Sequence, residues 1–148
     1  MKLERTNSTH PDFVQLVAEL DAFLTVKDGD MHDYYDQFNS IENLNHVIVL
    51  YEDDQAAACG AMKPFDKDSV EIKRMYTLPS QRGKGFGRKV LQELEVWAQE
   101  LGYTHLILET GASFEAAIAL YQKYGFSPIP NYGQYIGVET SRCFKKPI

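Results

Sequence analysis

The stretch Leu78-Pro79-Ser80-Gln81-Arg82-Gly83-Lys84-Gly85-Phe86-Gly87-Arg88 decides how this chain is read. It joins a strand-like run, residues 69–78 (SVEIKRMYTL), to the most strongly periodic helix of the sequence. In that helix Phe86, Val90, Leu91, Leu94, Trp97, Ala98 and Leu101 fall on one face, and Gly102 sits where a C-terminal cap belongs. A glycine-rich turn from strand to helix is a preformed anion site. The first amides of a helix have no intrahelical partner, the macrodipole adds positive potential, and glycines let the backbone come close to the anion. A pyrophosphate fits that description.

Spacing separates the phosphate motifs that compete for this turn. A Walker A loop needs Gly-Lys-[Ser/Thr] after four intervening residues, but Gly87 is followed by Arg88-Lys89-Val90. A dinucleotide GxGxxG needs a glycine three places after its second, whereas Gly83-Lys84-Gly85 leads to Arg88 and Gly85-Phe86-Gly87 leads to Val90. What remains is Arg82-x-x-Gly85-x-Gly87. Taken alone, those glycines read equally well as a tight turn with Arg82, Lys84, Arg88 and Lys89 as solvated cations.

Working outward, residues 2–7 suit a short strand, and Phe13, Leu16, Val17, Leu20, Phe23 and Leu24 recur at helical spacing until Gly29 breaks the pattern. Residues 31–39 (MHDYYDQFN) suit a second short helix. The β-branched run 46–51 (HVIVLY) reads as a strand, Asp53-Asp54 as a turn, and residues 55–63 (QAAACGAMK) and 69–78 as two further strands of an antiparallel meander. After the long helix come a strand at 104–109, a helix over 114–124 closed by Gly125, a returning strand from Phe126, and a last strand at 141–146. The expected fold is therefore mixed α/β: a mostly antiparallel sheet of about six to seven strands flanked by about four helices.

Composition bounds the function. At 148 residues, 44% hydrophobic and 24% charged, with no repeat or linker, the chain suits one globular domain over 1–148. A formal charge of −6 argues against nucleic-acid or anionic-membrane binding. Cys59 and Cys143 lie far apart with no Cys/His ligand spacing, so reduced core thiols are expected and no metal site. The histidines His10, His32, His46 and His105 likewise lack ligand spacing. No apolar h-region follows Met1-Lys2-Leu3-Glu4-Arg5 and no run reaches the ~20 apolar residues that would span a bilayer, so the expected compartment is the cytoplasm.

Arg82-x-x-Gly85-x-Gly87 resembles the Q/R-x-x-G-x-G/A signature with which GNAT-superfamily acetyltransferases hold the pyrophosphate of coenzyme A. Residues 70–79 resemble that family's central strand, which ends at a bulge and splays from its neighbour so that pantetheine can lie alongside. Ala117-Ile118-Ala119-Leu120-Tyr121-Gln122-Lys123-Tyr124-Gly125-Phe126 resembles its downstream A-[IL]-x-L-Y-x-x-x-G-F helix and strand. The resemblance covers about 47–146. It implies an N-acetyltransferase that moves an acyl group from acetyl-CoA to an amine of a small molecule or a protein. A non-catalytic acyl-CoA sensor on the same fold is the alternative.

Roles follow by resemblance. Met75, Tyr76 and Thr77 would line the pantetheine through their backbone, with Met75 N–H also holding the oxyanion. Arg82, Gly83, Lys84, Gly85, Phe86, Gly87 and Arg88 would face the phosphates. Tyr121 matches the tyrosine placed beside the coenzyme sulfur and would protonate the leaving thiolate. Glu71 is the candidate base, on an even offset from Met75 that puts both on one sheet face. Its other reading is a solvated strand residue paired with Lys73, with a chain of waters as the base, as in many branches of the family. The Tyr34-Tyr35 pair, amid Asp28, Asp30, Asp33 and Asp36, lies where the family builds its acceptor pocket, although an acidic solvated helix is the commoner reading of such a stretch. The chain departs from the family at Phe114, where an asparagine often steadies the pantetheine; Ser113 is the nearest replacement. The aromatic loop 131–135 (NYGQY) is expected to be exposed, as an acceptor lid or a homodimer contact.

Overall fold

The structure, a computed structural model, describes residues 1–38, 40–41 and 43–148. Its elements are β1 (Lys2–Thr6), α1 (Pro11–Asp28), α2 (His32–Asp36), β2 (His46–Glu52), β3 (Gln55–Pro64), β4 (Ser69–Thr77), α3 (Phe86–Glu100), β5 (His105–Gly111), α4 (Glu115–Lys123), β6 (Ser127–Ile129) and β7 (Ser141–Pro147). The strands form one seven-stranded sheet in the order β1-β2-β3-β4-β5-β7-β6. Pairing is antiparallel at β1–β2, β2–β3, β5–β7 and β6–β7, and parallel at β4–β5, where α3 supplies the crossover that a parallel pair requires. The mixed, mostly antiparallel sheet with four α-helices is the architecture expected from the sequence.

The chain divides into two compact units. One comprises Met1–Lys63 with Lys73–Leu94; the other comprises Pro64–Ile72 with Glu95–Ile148. In the first, α1 starts at His10, whose Nδ1 accepts the Asp12 N–H at 3.1 Å, with Pro11 in the first helical position. His10 Nε2 also meets Glu4 at 2.7 Å, so this histidine is structural. α1 runs past Leu24 to Asp28 before Gly29 ends it. A 3₁₀ turn then precedes α2, which is shorter than the expected helix; residue 39 of that expectation lies outside the described residues. Phe13, Leu16 and Val17 of α1 pack with Leu44, Val47, Val49, Cys59 and Ala61. Both cysteines are buried free thiols, as expected.

α3 places Phe86, Val90, Leu91, Leu94 and Ala98 inside. Leu101, expected on that face, is 47% exposed because the helix ends before it. The Gly102 and Tyr103 N–H groups bond the Gln99 and Ala98 carbonyls, which makes Leu101 the cap residue. In the second unit Val70, Leu106, Leu108, Phe126 and Phe144 are buried, and β5 pairs along its whole length with β7.

Close approach explains one glycine. At Gly60 of β3 an added Cβ would lie 2.4 Å from Met75 Sδ and 2.8 Å from Val90 Cγ1, so the seat of Met75 exists only without a side chain there. Gly60→Val is therefore expected to overpack this layer and to cost about 1–3 kcal/mol of unfolding free energy, read from the midpoint of a urea titration.

Candidate active site

The first unit carries the glycine turn. Gly83 and Gly85 have φ of 80° and 79°, and a Cβ at either would meet nothing within 4 Å. Backbone conformation, not crowding, is what calls for glycine here. The Gly85 carbonyl accepts the Lys89 N–H at 3.2 Å, which makes Gly85 the residue that opens α3. The amides of Gly85, Phe86, Gly87 and Arg88 therefore stand at the helix head, where an α-helix offers no internal acceptor.

Two cations of the turn bond to groups close by in the chain. Arg82 Nε donates to the Thr77 carbonyl at 3.0 Å, and its guanidinium carbon lies 5.7 Å from the ring centres of Tyr76 and Phe23. Arg82 thus folds back on the end of β4 and fixes the exit of the chain into the turn. Lys84 Nζ donates to Gln81 Oε1 at 2.8 Å. Met75, Tyr76 and Thr77 are all half-buried, Met75 seated on Gly60 and Tyr76 packed with the α1 core.

Arg74, between Lys73 and Met75, has φ of 57° inside β4. This is the bulge-like break expected of the strand, and it corrects one step of the sequence reading. A left-handed residue interrupts the alternation of side chains, so the even offset from Glu71 to Met75 is no longer by itself a reason to set both on one face.

The second unit holds Glu71 and Tyr121. Glu71 is buried, and Tyr132 Oη donates to its Oε2 at 2.7 Å. Lys73, expected as a partner of Glu71 if that residue is solvated, donates to the Phe38 carbonyl at 3.0 Å. Glu71 pairs with Ile107 in the β4–β5 ladder; Glu109, two residues along β5, lies on the same face. Burial first, then the carboxylates, hold the phenols above their ordinary range: Tyr132 beside Glu71, Tyr121 beside Glu109, and Tyr135 beside both. Burial also pushes the Cys143 thiol up to about 11.

Tyr121 owes its place to the end of α4. Gly125, at φ 106°, donates to the Gln122 carbonyl and Phe126 to the Tyr121 carbonyl, the paired bonds of a Schellman cap. Such a cap brings together the residues at its two ends, and the rings of Tyr121 and Phe126 meet edge to face at 5.7 Å. The spacing Y-x-x-x-G-F thus encodes a ring position. Phe114, the departure noted above, is the N-cap residue of α4 without a side-chain cap bond, its ring against Gly111, while Ser113 is exposed.

The loop 131–135 differs from expectation. Tyr135 is buried and Tyr132 half-buried, so the loop turns its aromatic rings inward. Asn131 is the reason: its Nδ2 donates to the carbonyls of Tyr135, Val138 and Ser141, and so winds the loop around one amide. Tyr132 also stacks edge to face on Phe65 and Tyr135. The sequence marked the loop that holds both tyrosines but not its inward turn, and Glu109 did not stand out; the alternation that makes Glu109 a neighbour of Glu71 was there to be read. Tyr35 is likewise buried, in edge contact with Tyr34, which also meets Phe38. Among the described residues no group of His, Cys, Asp or Glu could hold a metal ion, and no helix is long and apolar enough to cross a membrane.

The acetyltransferase (GNAT) family model matches residues 13–126. The chain belongs to the GNAT acetyltransferase family. Membership identifies the general class of activity as acyl transfer from acetyl-CoA. Among its relatives, an uncharacterized N-acetyltransferase of Bacillus subtilis, YsnE, is 44% identical over 57% of this chain and 59% of its own length, so that match spans about three fifths of the relative. The IAA acetyltransferase of Azospirillum brasilense is 32% identical over 91% of this GNAT chain and 90% of its own. A crystal structure described as an acyl-CoA N-acyltransferase from Klebsiella pneumoniae is 28% identical, with a TM-score of 0.83 over 99% of this chain and 96% of that one.

The Tyr132–Glu71 bond gives a direct test of the second unit. Tyr132→Phe removes the donor to a buried carboxylate and keeps the ring, and is expected to cost about 1.5–3 kcal/mol in urea unfolding at neutral pH.

Proposed function

We propose that this chain is a single-domain N-acetyltransferase, over 1–148, that passes the acetyl group of acetyl-CoA to a primary amine of a small molecule or a protein by direct attack. The observation that carries the reading is the head of α3. Gly83 and Gly85 are left-handed and the Gly85 carbonyl opens the helix, so consecutive amides converge where a diphosphate is best stabilised. The pyrophosphate of the coenzyme binds the amides from Arg82 to Arg88. The pantetheine, an amide-bearing rod, pairs with the backbone of Met75, Tyr76 and Thr77 as an added strand would. The β4–β5 ladder supports this, because it spans only Ser69–Glu71 against His105–Ile107 while β4 continues to Thr77.

The chemistry needs an oxyanion donor, a base and an acid. Met75 N–H polarises the thioester carbonyl and holds the charge that forms as the amine nitrogen bonds to the carbonyl carbon. Glu71 accepts the proton that the amine sheds. Collapse of the intermediate breaks the C–S bond, and Tyr121 returns a proton to the sulfur. Tyr121 enters that step protonated, since burial and Glu109 raise its pKa above the ordinary 10.0. Glu71 and Glu109 on one face, with Tyr132 and Tyr135 close to them, support a cationic amine as the acceptor. The cytoplasm is the compartment this reading assigns.

Turnover of acetyl-CoA across a panel of amines, read as release of free thiol, tests the proposal. Tyr121→Phe is expected to lower kcat by ~10²–10⁴-fold, the range of a lost acid catalyst, with coenzyme affinity by calorimetry unchanged. Coenzyme binding without turnover of any amine would favour an acyl-CoA-binding module instead.

A further inference from the structure

Arg74 is the β4 residue least suited to its own backbone. Its φ of 57° is a region that residues with side chains enter at a cost, and its guanidinium is buried, with 6% of the residue exposed. Among the described residues one ion pair compensates that charge: Nη2 donates to Oδ1 of Asp21 on α1. Nε is buried with no hydrogen-bond partner among the described residues. Breaking a buried pair leaves an uncompensated charge, so the pair with Asp21 pins the side chain, and the side chain pins the left-handed backbone.

The peptide that follows is held from a second side. Cys59 Sγ on β3 donates to the Arg74 carbonyl at 3.5 Å. Burial pushes that thiol up to about 12, so it keeps its proton. The Arg74 carbonyl and the Met75 N–H are opposite ends of one planar trans peptide. Whatever fixes the carbonyl therefore aims the amide the other way. Met75 Sδ, seated over Gly60, completes the restraint.

We propose that Asp21 is a positioning residue for acyl transfer: through Arg74 it holds the Arg74–Met75 peptide in the orientation that presents the Met75 N–H to the thioester carbonyl. The inference rests on the reading of Met75 as oxyanion donor. It adds a residue on α1, 53 positions from Arg74 in sequence, whose half-exposed carboxylate bears on the reaction only through the strand.

The test compares the wild type with Asp21→Ala, Asp21→Asn and Asp21→Glu. Difference infrared spectra of bound acetyl-CoA, labelled with carbon-13 at the acyl carbonyl, report the polarisation of that carbonyl directly. Calorimetry with free coenzyme A, which has no thioester, reports the rest of the site. The wild type is expected to lower the carbonyl stretch relative to free acetyl-CoA. Asp21→Ala should return it toward the free value and lower kcat by ~10²-fold, the scale of a misplaced reacting group, with free coenzyme affinity unchanged. Asp21→Asn should fall between, and Asp21→Glu should restore much of both. Should Asp21→Ala not fold, Asp21→Asn decides on the same readouts. A folded Asp21→Asn or Asp21→Ala protein with the wild-type stretch and kcat overturns the inference, as does a loss of free coenzyme affinity in step with kcat. A wild type that binds acetyl-CoA without moving the stretch overturns the oxyanion reading itself, and this inference with it.

Discussion

A strand that must stop pairing on one side while it stays in a sheet needs a break in its own geometry. In β4 that break is Arg74, an arginine at positive φ. Such a residue costs of order 1–2 kcal/mol relative to an extended one, so something must hold it. The holder is electrostatic: a guanidinium taken out of water and answered by a carboxylate on α1. Once the side chain is committed to Asp21, the carbonyl meets the Cys59 thiol and Met75 drops into the space left by Gly60. The backbone groups proposed to meet the coenzyme thus inherit their direction from an ion pair that touches none of them.

The same logic of main-chain geometry set by a few committed groups recurs elsewhere. Arg82 ties the end of β4 to the turn through the Thr77 carbonyl, and Gly85 converts the turn into a helix head. At the end of α4 a glycine in the left-handed region closes the cap and carries Phe126 back onto Tyr121. Asn131 spends one amide on three carbonyls and thereby turns Tyr132 and Tyr135 inward. In each case one polar or left-handed residue decides where an aromatic ring or a row of amides ends up.

Much of this was legible in the sequence, for physical reasons that differ by element. The helices and strands announced themselves because burial of one face imposes a period, and glycines at 29, 102 and 125 marked helix ends because few other residues accept those backbone angles. The glycine turn was legible as the entrance to a helix, and its link to a coenzyme came from the family resemblance, since elimination among phosphate loops left a plain turn equally open. Arg74 was not, because arginine has no preference for positive φ and only its partner on α1 makes the conformation worthwhile. Consequently the even spacing of Glu71 and Met75 loses its force as an argument: alternation is a reliable rule only where every intervening residue is extended. The direction of Tyr132 and Tyr135 was equally hidden, since a loop's aromatic rings face in or out according to hydrogen bonds such as those of Asn131, which have no period.

The division between what the sequence revealed and what it withheld has a chemical basis. Coenzyme contacts proposed for the first unit are made by backbone amides, and backbone conformation leaves a signature of glycines and caps that a reader can find. The acceptor recognition proposed for the second unit rests on side chains such as Glu71, Glu109, Tyr132 and Tyr135, drawn from two strands and a loop. Their identities are ordinary for a half-buried sheet and their grouping arises only on folding. An acetyltransferase of this family can therefore disclose its donor in a dozen consecutive residues while its acceptor stays distributed over the chain. The order in which the two halves of the reaction can be assigned, donor first and acceptor last, follows from that difference in how main chain and side chain are written into sequence.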